Sequence, residues 1–229
     1  MTFEILYKDE NLVVINKPHG IVVHRSFYVG EADIYAVQEL KKQLGQFVYP
    51  CHRIDRKTSG ILIFALSSDS ARKIQDQFAD NLIKKDYLAI VRGYTEDVGS
   101  IDYALINEKG KVQEALTNYK TLERVEVDIP FGKFKTSRYS LVGVEPQTGR
   151  MHQIRKHFAH INHPIIGDRP HGCNKQNRLF KETFQMNTML LHAHQISFAH
   201  PVSEKKIEIT ASLHSEYKRM LNTLQFRSI

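Results

Sequence analysis

The feature that most restricts the fold is a polar segment, His52–Gly60, followed directly by six apolar residues, Ile61–Leu66. A short apolar run without alternation is typical of a strand that is buried on both faces. A loop that enters such a strand lies at the edge of a rigid sheet, where proteins commonly carry chemistry. Asp55 lies in that loop and is a candidate functional carboxylate. The residues alone leave an alternative, in which Asp55 is a turn residue that pairs with Arg53 or Arg56.

The overall composition favours a compact protein with an acidic partner. The 229 residues are 41% hydrophobic, which is enough for a core in one domain or in two closely packed lobes. The 32 Lys and Arg residues exceed the 25 Asp and Glu residues, so the formal net charge is +7. This excess favours a polyanion such as nucleic acid, although many basic proteins have no such partner.

Cysteine and histidine usage argues against a disulfide scaffold or a metal site. Cys51 and Cys173 stand far apart, and neither belongs to a Cys-x-x-Cys pair. His157, His160 and His163 have helical spacing, but no zinc motif accompanies them, so we expect no metal and no cofactor. We expect His157 and His160 to face phosphate or solvent. The charged first ten residues and the lack of a long apolar stretch predict a cytoplasmic protein.

The hydrophobic periodicity predicts an α+β protein with a large, mostly antiparallel sheet, because strands and helices alternate without a regular βαβ rhythm. Helix signals include an N-cap at Asp33 with a stop at Gly45, a cap at Ser67, and a helix that follows Arg150 and ends before Pro164. A last helix is predicted over 213–224. Predicted strands cover 3–7, 12–16, 21–24, 61–66, 82–93, 138–144, 190–198 and 206–210, with a turn at 107–110 in the least informative part of the chain.

Several motifs together resemble the RluA-type pseudouridine synthases. The segment His52–Gly60 is similar to the family motif His-Arg-Leu-Asp-x-x-Thr-Ser-Gly, with Ile54 in place of leucine. The other matching segments, in family order, are Asn16–Gly20, Lys85–Gly93, Thr148–Arg155, His163–Asp168 and Leu191–Ala193. The resemblance covers nearly the whole chain. It implies one catalytic domain over 1–229 without an N-terminal S4 module, and a bent sheet in two subdomains with the catalytic cleft between them.

The resemblance also implies a role for individual residues. Asp55 would be the essential carboxylate, as nucleophile or as base, and Arg155 would pair with it and keep it ionised. Tyr87 would stack under the uracil and take or relay the C5 proton. Arg53 would fill the gap left by the flipped base, because a guanidinium plane can stack where a base was. The residues expected to contact RNA are Arg53, Arg150, His152 and Lys17.

The expected activity is conversion of a uridine to pseudouridine in structured RNA, without a cofactor, by a protein that is monomeric. Glu4–Glu10 and Thr136–Tyr139 are similar to the tRNA-modifying members, which points to uridine 65 of tRNA. A ribosomal RNA substrate and a catalytically silent RNA-binding protein are the alternatives. His171 stands where many relatives have tyrosine, which leaves the rim of the expected site less well defined.

Overall fold

The computed structural model describes residues 1–24 and 34–228. The chain folds into two compact units. Unit 1 contains Met1–Lys85 and Ala193–Leu213, and unit 2 contains Asp86–His192 and His214–Ile229. The chain therefore leaves unit 1 after Lys85, builds most of unit 2, returns to unit 1 for two strands, and ends in unit 2.

The strands of unit 1 pair in the order β1-β2-β4-β11, with β3 alongside β4 and β12 alongside β11. The signature strand β4 is buried along its whole length, as its apolar sequence predicts. The predicted strand over 21–24 is wrong, because the carbonyls of Val22 and Val23 accept the first amides of the helix that begins at Ala36. The strands are β1 (Glu4–Lys8), β2 (Leu12–Lys17), β3 (Tyr49–Pro50), β4 (Ser59–Ala65), β11 (Leu191–Ala199) and β12 (Lys206–Thr210).

Two amphipathic helices, α1 (Ala36–Leu44) and α2 (Ser68–Ala79), belong to unit 1. Gly45 ends α1 in the left-handed conformation, with φ of 69°, as predicted. The N-cap expected at Asp33 lies outside the described residues. The Ser67 hydroxyl accepts the Ser70 amide at 3.2 Å and so caps α2, as predicted.

The strands of unit 2 pair in the order β5-β10-β9-β6, and β7 pairs with β8 in a separate hairpin. The predicted turn at 107–110 joins β7 to β8. These pairings of β5, β10, β9 and β6 and of β7 with β8 are antiparallel. The strands are β5 (Lys84–Arg92), β6 (Val98–Asp102), β7 (Leu105–Ile106), β8 (Val112–Gln113), β9 (Leu116–Val127) and β10 (Ser137–Pro146).

Unit 2 carries helices α3 (Gln153–His160), α4 (Asn174–Phe184) and α5 (Ser215–Thr223). Helix α3 begins later than its sequence signals indicate, because His152 adopts the left-handed conformation with φ of 57°. Its residues Ile154 and Phe158 pack into the core of the unit, as predicted. Helix α4 was not predicted.

The prediction that His157 faces phosphate or solvent is wrong. His157 is fully buried, and its Nε2 lies 3.0 Å from the carbonyl oxygen of Tyr103. The ring therefore faces neither phosphate nor solvent. His160 is exposed and stacks on the Tyr103 ring, with 3.7 Å between the ring centroids.

The protein thus has an α+β fold with a large, mostly antiparallel sheet and flanking helices, which confirms the predicted class. Among the described residues, no helix is long and apolar enough to cross a membrane.

Candidate active site

The signature loop delivers Asp55 just ahead of β4. Asp55 is half-buried, and its carbonyl accepts the Thr58 amide at 3.1 Å, which closes a tight turn. Gly60 ends the loop with φ of +106°, and a Cβ at this position would lie 2.1 Å from the carbonyl oxygen of Ala193. Because only glycine fits this contact, the chain has a fixed entry into the strand. The Asp55 backbone is therefore well defined on one side by a turn and on the other by a buried strand.

Lys17 lies beneath this loop and is fully buried. Its Nζ donates to the carbonyl oxygens of Pro18 at 2.9 Å, Ile21 at 3.0 Å and Arg56 at 3.3 Å. Burial lowers the pKa of Lys17 to about 7, and the charge of Asp55 opposes that shift. The predicted contact between Lys17 and RNA does not fit a side chain that has no exposed surface. Lys17 instead ties its own turn to the signature loop.

A second pair of bonds joins the same two segments. The Gly20 amide donates to the Arg56 carbonyl at 2.7 Å, and the Arg56 Nε donates to the Gly20 carbonyl at 3.0 Å. Together with Lys17, these bonds hold the backbone next to Asp55 from one side. Arg53, by contrast, is exposed, so its side chain can reach a ligand, as its predicted role requires.

His52 is a structural member of the signature segment. Its Nε2 accepts the Ile63 amide at 3.1 Å, and its ring lies on Phe78 with 4.6 Å between centroids. An imidazole that accepts a hydrogen bond through this nitrogen is neutral. Burial lowers the pKa of His52 to about 3, and the charge of Lys85 acts in the same direction. His52 thus anchors the loop to β4 without a charge of its own.

Unit 2 contains a buried ion pair between Arg155 and Asp168. The Nε and Nη2 of Arg155 donate to the two carboxylate oxygens of Asp168, each at 2.8 Å. The Arg155 side chain is 7% exposed and that of Asp168 is 1% exposed. This is a bidentate geometry, which fixes both the position and the plane of a guanidinium. Asp168 is the last residue of the His163–Asp168 motif, but the family resemblance implied no role for it.

The loop that carries Asp168 is itself held in place. The Asn177 amide nitrogen donates to the Asp168 carbonyl at 2.5 Å, and the Asn177 side-chain oxygen accepts the Gly167 amide at 2.9 Å. Gly167 has φ of +84°, and a Cβ there would lie 1.9 Å from the Thr188 carbonyl oxygen. Helix α4, which sequence patterns missed, therefore contributes the residue that positions this loop.

The arginine motif forms a second polar cluster in unit 2. The Gln153 side-chain oxygen accepts the Arg150 amide at 2.9 Å and the Thr148 hydroxyl at 2.7 Å, which shapes the turn before α3. Arg150 is exposed, and its Nε donates to the Glu114 carbonyl at 3.0 Å. His152 Nδ1 lies 2.9 Å from His171 Nε2. One of these two nitrogens carries a hydrogen and donates a hydrogen bond to the other.

Tyr87 lies on β5 opposite Val144 of β10. It is half-buried and packs against the core cluster that contains Ala89, Val91 and Phe158. Tyr87, Ala89 and Val91 thus pack on the same core, as expected for the one strand face that the sequence predicts for them. Asp55 belongs to unit 1, whereas Tyr87 and Arg155 belong to unit 2. Their assembly around one substrate, including the pairing of Arg155 with Asp55, stays a prediction.

Comparison with known proteins identifies the class. The model of the RNA pseudouridylate synthase family matches residues 11–160. tRNA pseudouridine synthase C of Vibrio parahaemolyticus is 43% identical over 234 residues, covering 97% of this chain and 95% of the relative. The Haemophilus ducreyi protein of the same name is 43% identical over 232 residues, with coverages of 97% and 96%. The chain therefore belongs to the RNA pseudouridylate synthase family.

Solved structures show the same fold. Human RNA Pseudouridylate Synthase Domain Containing 4 superimposes with a TM-score of 0.76 at 24% identity, over 97% of this chain and 93% of the human one. Human RNA Pseudouridylate Synthase Domain Containing 1 gives a TM-score of 0.73 at 22% identity, with coverages of 99% and 96%. This protein is an RNA pseudouridine synthase, an isomerase, as the motifs predict.

Proposed function

We propose that the protein converts uridine 65 of tRNA to pseudouridine and that Asp55 is the essential catalytic group. The observation that carries the substrate assignment is the 43% identity, over nearly the full length of both chains, to tRNA pseudouridine synthase C of Vibrio parahaemolyticus. The formal net charge of +7 is compatible with a large polyanionic substrate.

The reaction breaks the bond between N1 of uracil and C1′ of ribose, turns the base, and joins C5 to C1′. The proton on C5 then leaves and N1 gains a proton, so atoms and charge balance without a redox carrier. An ionised carboxylate can serve as nucleophile, or as the base that lets the ribose eliminate. The rigid loop around Asp55 supports either role, because a catalytic group gains most when its position is fixed before substrate binds.

Tyr87 and Arg155 complete the proposed chemistry. Arg155 keeps Asp55 ionised when the substrate excludes water, since a nearby cation opposes the effect of desolvation on a carboxyl group. Tyr87 stacks on the uracil and accepts or relays the C5 proton. Arg53 occupies the space that the flipped base leaves, and Arg150 and His152 contact the RNA near the arginine motif.

The test uses an unmodified tRNA transcript that carries tritium at C5 of its uridines. Release of tritium reports the isomerisation, and carbodiimide modification followed by primer extension locates the new pseudouridine. We expect release of one equivalent of tritium and a stop at position 65, and neither signal from a transcript with cytidine at that position. A stop elsewhere in tRNA, or activity only on ribosomal RNA fragments, contradicts the assignment. Binding without any tritium release would indicate a silent RNA-binding protein.

A further inference from the structure

An exposed turn in unit 2 joins β9 to β10 and carries an aromatic ring between two lysines. Phe134 is 61% exposed, and Lys133 and Lys135 on either side of it are exposed as well. Tyr94, which is 40% exposed, and Arg138 lie beside this turn. We call these five residues the turn patch.

Contacts within the folded chain shape the turn patch. Phe134 and Phe131 exchange backbone hydrogen bonds of 3.0 and 3.2 Å across the turn. The Arg138 guanidinium lies 5.1 Å from the centre of the Tyr94 ring, and its Nε donates to Glu126 at 3.0 Å. The backbone of the turn and the Arg138–Tyr94 pair are therefore held in place before any partner arrives.

The charges of the turn patch are only partly balanced. Glu126 neutralises Arg138, whereas Lys133 and Lys135 form no ion pair within the described part of the chain. The Lys133 ammonium lies 5.5 Å from the centre of the Phe134 ring. An exposed ring and two cations without an anionic partner add little to folding stability, because both the ring and the charges stay in water. A partner that offers both stacking surface and negative charge fits this composition, and nucleic acid offers both.

The position of the turn patch sets which part of an RNA it can reach. Tyr87 pairs with Val144 near one end of β10, and the turn patch lies beyond Ser137 at the other end. Seven strand residues at about 3.3 Å each, together with the turn, place the patch roughly 25 Å from Tyr87. At the rise of about 3.4 Å per base pair of B-DNA, this length corresponds to about seven base pairs, and an RNA duplex, which rises less per base pair, needs more.

We propose that the turn patch is a second RNA-binding surface that holds a structured RNA roughly 25 Å away from the reacting uridine. Lys133 and Lys135 contact phosphates, and Phe134 packs on a base or sugar. This inference rests on the proposed function, because it takes the RNA substrate as the partner. It predicts that the enzyme distinguishes a large folded RNA from a short stem that presents the same uridine.

The test compares two RNAs and two matched double variants. The RNAs are a full-length tRNA transcript and a short stem-loop with the target uridine and too few base pairs to reach the turn patch. The variants are Lys133→Ala/Lys135→Ala and, as a control with the same loss of charge, Lys175→Ala/Lys181→Ala on helix α4, whose two lysines are also exposed. Phe134→Ala is measured separately, because it removes the ring and keeps the charge.

We expect the turn-patch double variant and Phe134→Ala to lower kcat/KM on full-length tRNA roughly tenfold or more, and to leave the short stem-loop unaffected. The slope of log Kd against log salt for full-length tRNA should become shallower by about 1.8 in the double variant, since two duplex phosphate contacts are lost. The α4 control should change neither value. Circular dichroism and thermal unfolding confirm that each variant is folded.

Equal losses of kcat/KM on both RNAs would overturn the proposal. No loss on either RNA would overturn it as well, and would leave a protein as the remaining candidate partner of the turn patch. The salt dependence of Kd shows whether the turn patch binds RNA even if neither RNA is modified. Failure of the catalytic assignment is therefore distinguishable from failure of the turn-patch assignment.

Discussion

Asp168 holds one edge of the Arg155 guanidinium, with Nε and Nη2 each 2.8 Å from a carboxylate oxygen. Nη1, on the opposite edge of the guanidinium, takes no part in these two bonds. Because the two bonds fix the plane of the guanidinium, they also fix the direction in which Nη1 points. In a buried pair of this kind each charge depends on the other, because neither has water to replace its partner. Asp168 is therefore a positioning residue for Arg155 in the proposed mechanism.

We expect Asp168→Asn to lower the rate of single-turnover pseudouridine formation at least about tenfold and to leave tRNA affinity within about threefold. The amide cannot hold both guanidinium nitrogens, so Arg155 loses its fixed plane. Breaking a buried pair should also lower the free energy of unfolding by roughly 3–5 kcal/mol, which thermal or urea unfolding will measure.

A double-mutant cycle separates positioning from a merely structural effect. Arg155→Met should slow the chemical step strongly but measurably in single-turnover assays, and Asp168→Asn should cause no further loss in that background. Independent, multiplying losses would show that Asp168 acts on catalysis by another route. If Arg155→Met weakens only RNA binding, then Arg155 is a phosphate contact and its proposed pairing with Asp55 is wrong.

We expect Asp55→Asn to give a folded protein that binds tRNA and forms no pseudouridine. The amide keeps the size of the side chain but can act neither as nucleophile nor as base. Tritium release and a filter-binding assay will measure the two properties. Asp80→Asn, at an exposed carboxylate that follows α2, is the control and should be fully active. Activity of Asp55→Asn within tenfold of the parent would remove Asp55 from the mechanism.

Lys17 should make stability depend on pH in a definite direction. Its pKa falls from 10.5 in the unfolded chain to about 7 in the folded one, so burial of the charged form costs stability at pH 7 and below. Between pH 7 and 10.5 the unfolded chain binds more protons, and the free energy of unfolding should rise with pH by up to about 1.4 kcal/mol per unit from this group.

The measurement compares urea unfolding of the parent and Lys17→Met from pH 7 to pH 9.5. The variant should lack the Lys17 contribution, so the difference between the two free energies should change with pH. The variant should also lose activity, because the carbonyls of Pro18, Ile21 and Arg56 lose their common donor. Lys41→Met, at an exposed site on α1, should follow the parent curve. Parallel curves for Lys17→Met would show that Lys17 does not titrate in this range.

Arg53→Ala should distinguish base flipping from phosphate binding. If Arg53 fills the gap left by the target base, the variant should lose much more activity on structured tRNA than on a short unstructured RNA with the uridine exposed. Loss of a phosphate contact would instead reduce activity by a similar factor on both RNAs. It would also make the salt dependence of binding shallower by about one contact, or 0.7–0.9 in slope. Rates on both RNAs and Kd at several salt concentrations will decide between the two roles.

The sequence predicted best where one local pattern determines the structure. The apolar run after Gly60 gave the buried strand β4, and the serine at position 67 gave the N-cap of α2. The predicted strand over 21–24 was wrong because its carbonyls are used by the first turn of α1. Helix α4 was missed because its sequence is mostly polar, and its buried Gln176 makes a 2.7 Å bond to Tyr139 that no local pattern indicates.

The sequence indicated which residues belong to the candidate active site, but it did not indicate which contacts those residues make. The motif resemblance indicated Asp55 and Arg155, but it could not show that Asp168, thirteen positions after Arg155 in the sequence, would take one edge of the guanidinium. Lysine is ordinarily an exposed residue, so the sequence suggested an RNA contact for Lys17. Its complete burial depends on three carbonyls from two segments, and only the folded chain brings them together.

The close approach of Gly60 to Ala193 has a consequence for synthesis of the chain. The signature strand is translated before unit 2, but its neighbour β11, which contains Ala193, is translated only after most of unit 2. Until then, β4 has an open edge of the kind that pairs with other chains. The edge of β4 therefore waits for β11 while most of unit 2 is made, and the loop of Asp55 acquires its contact with Ala193 only after that.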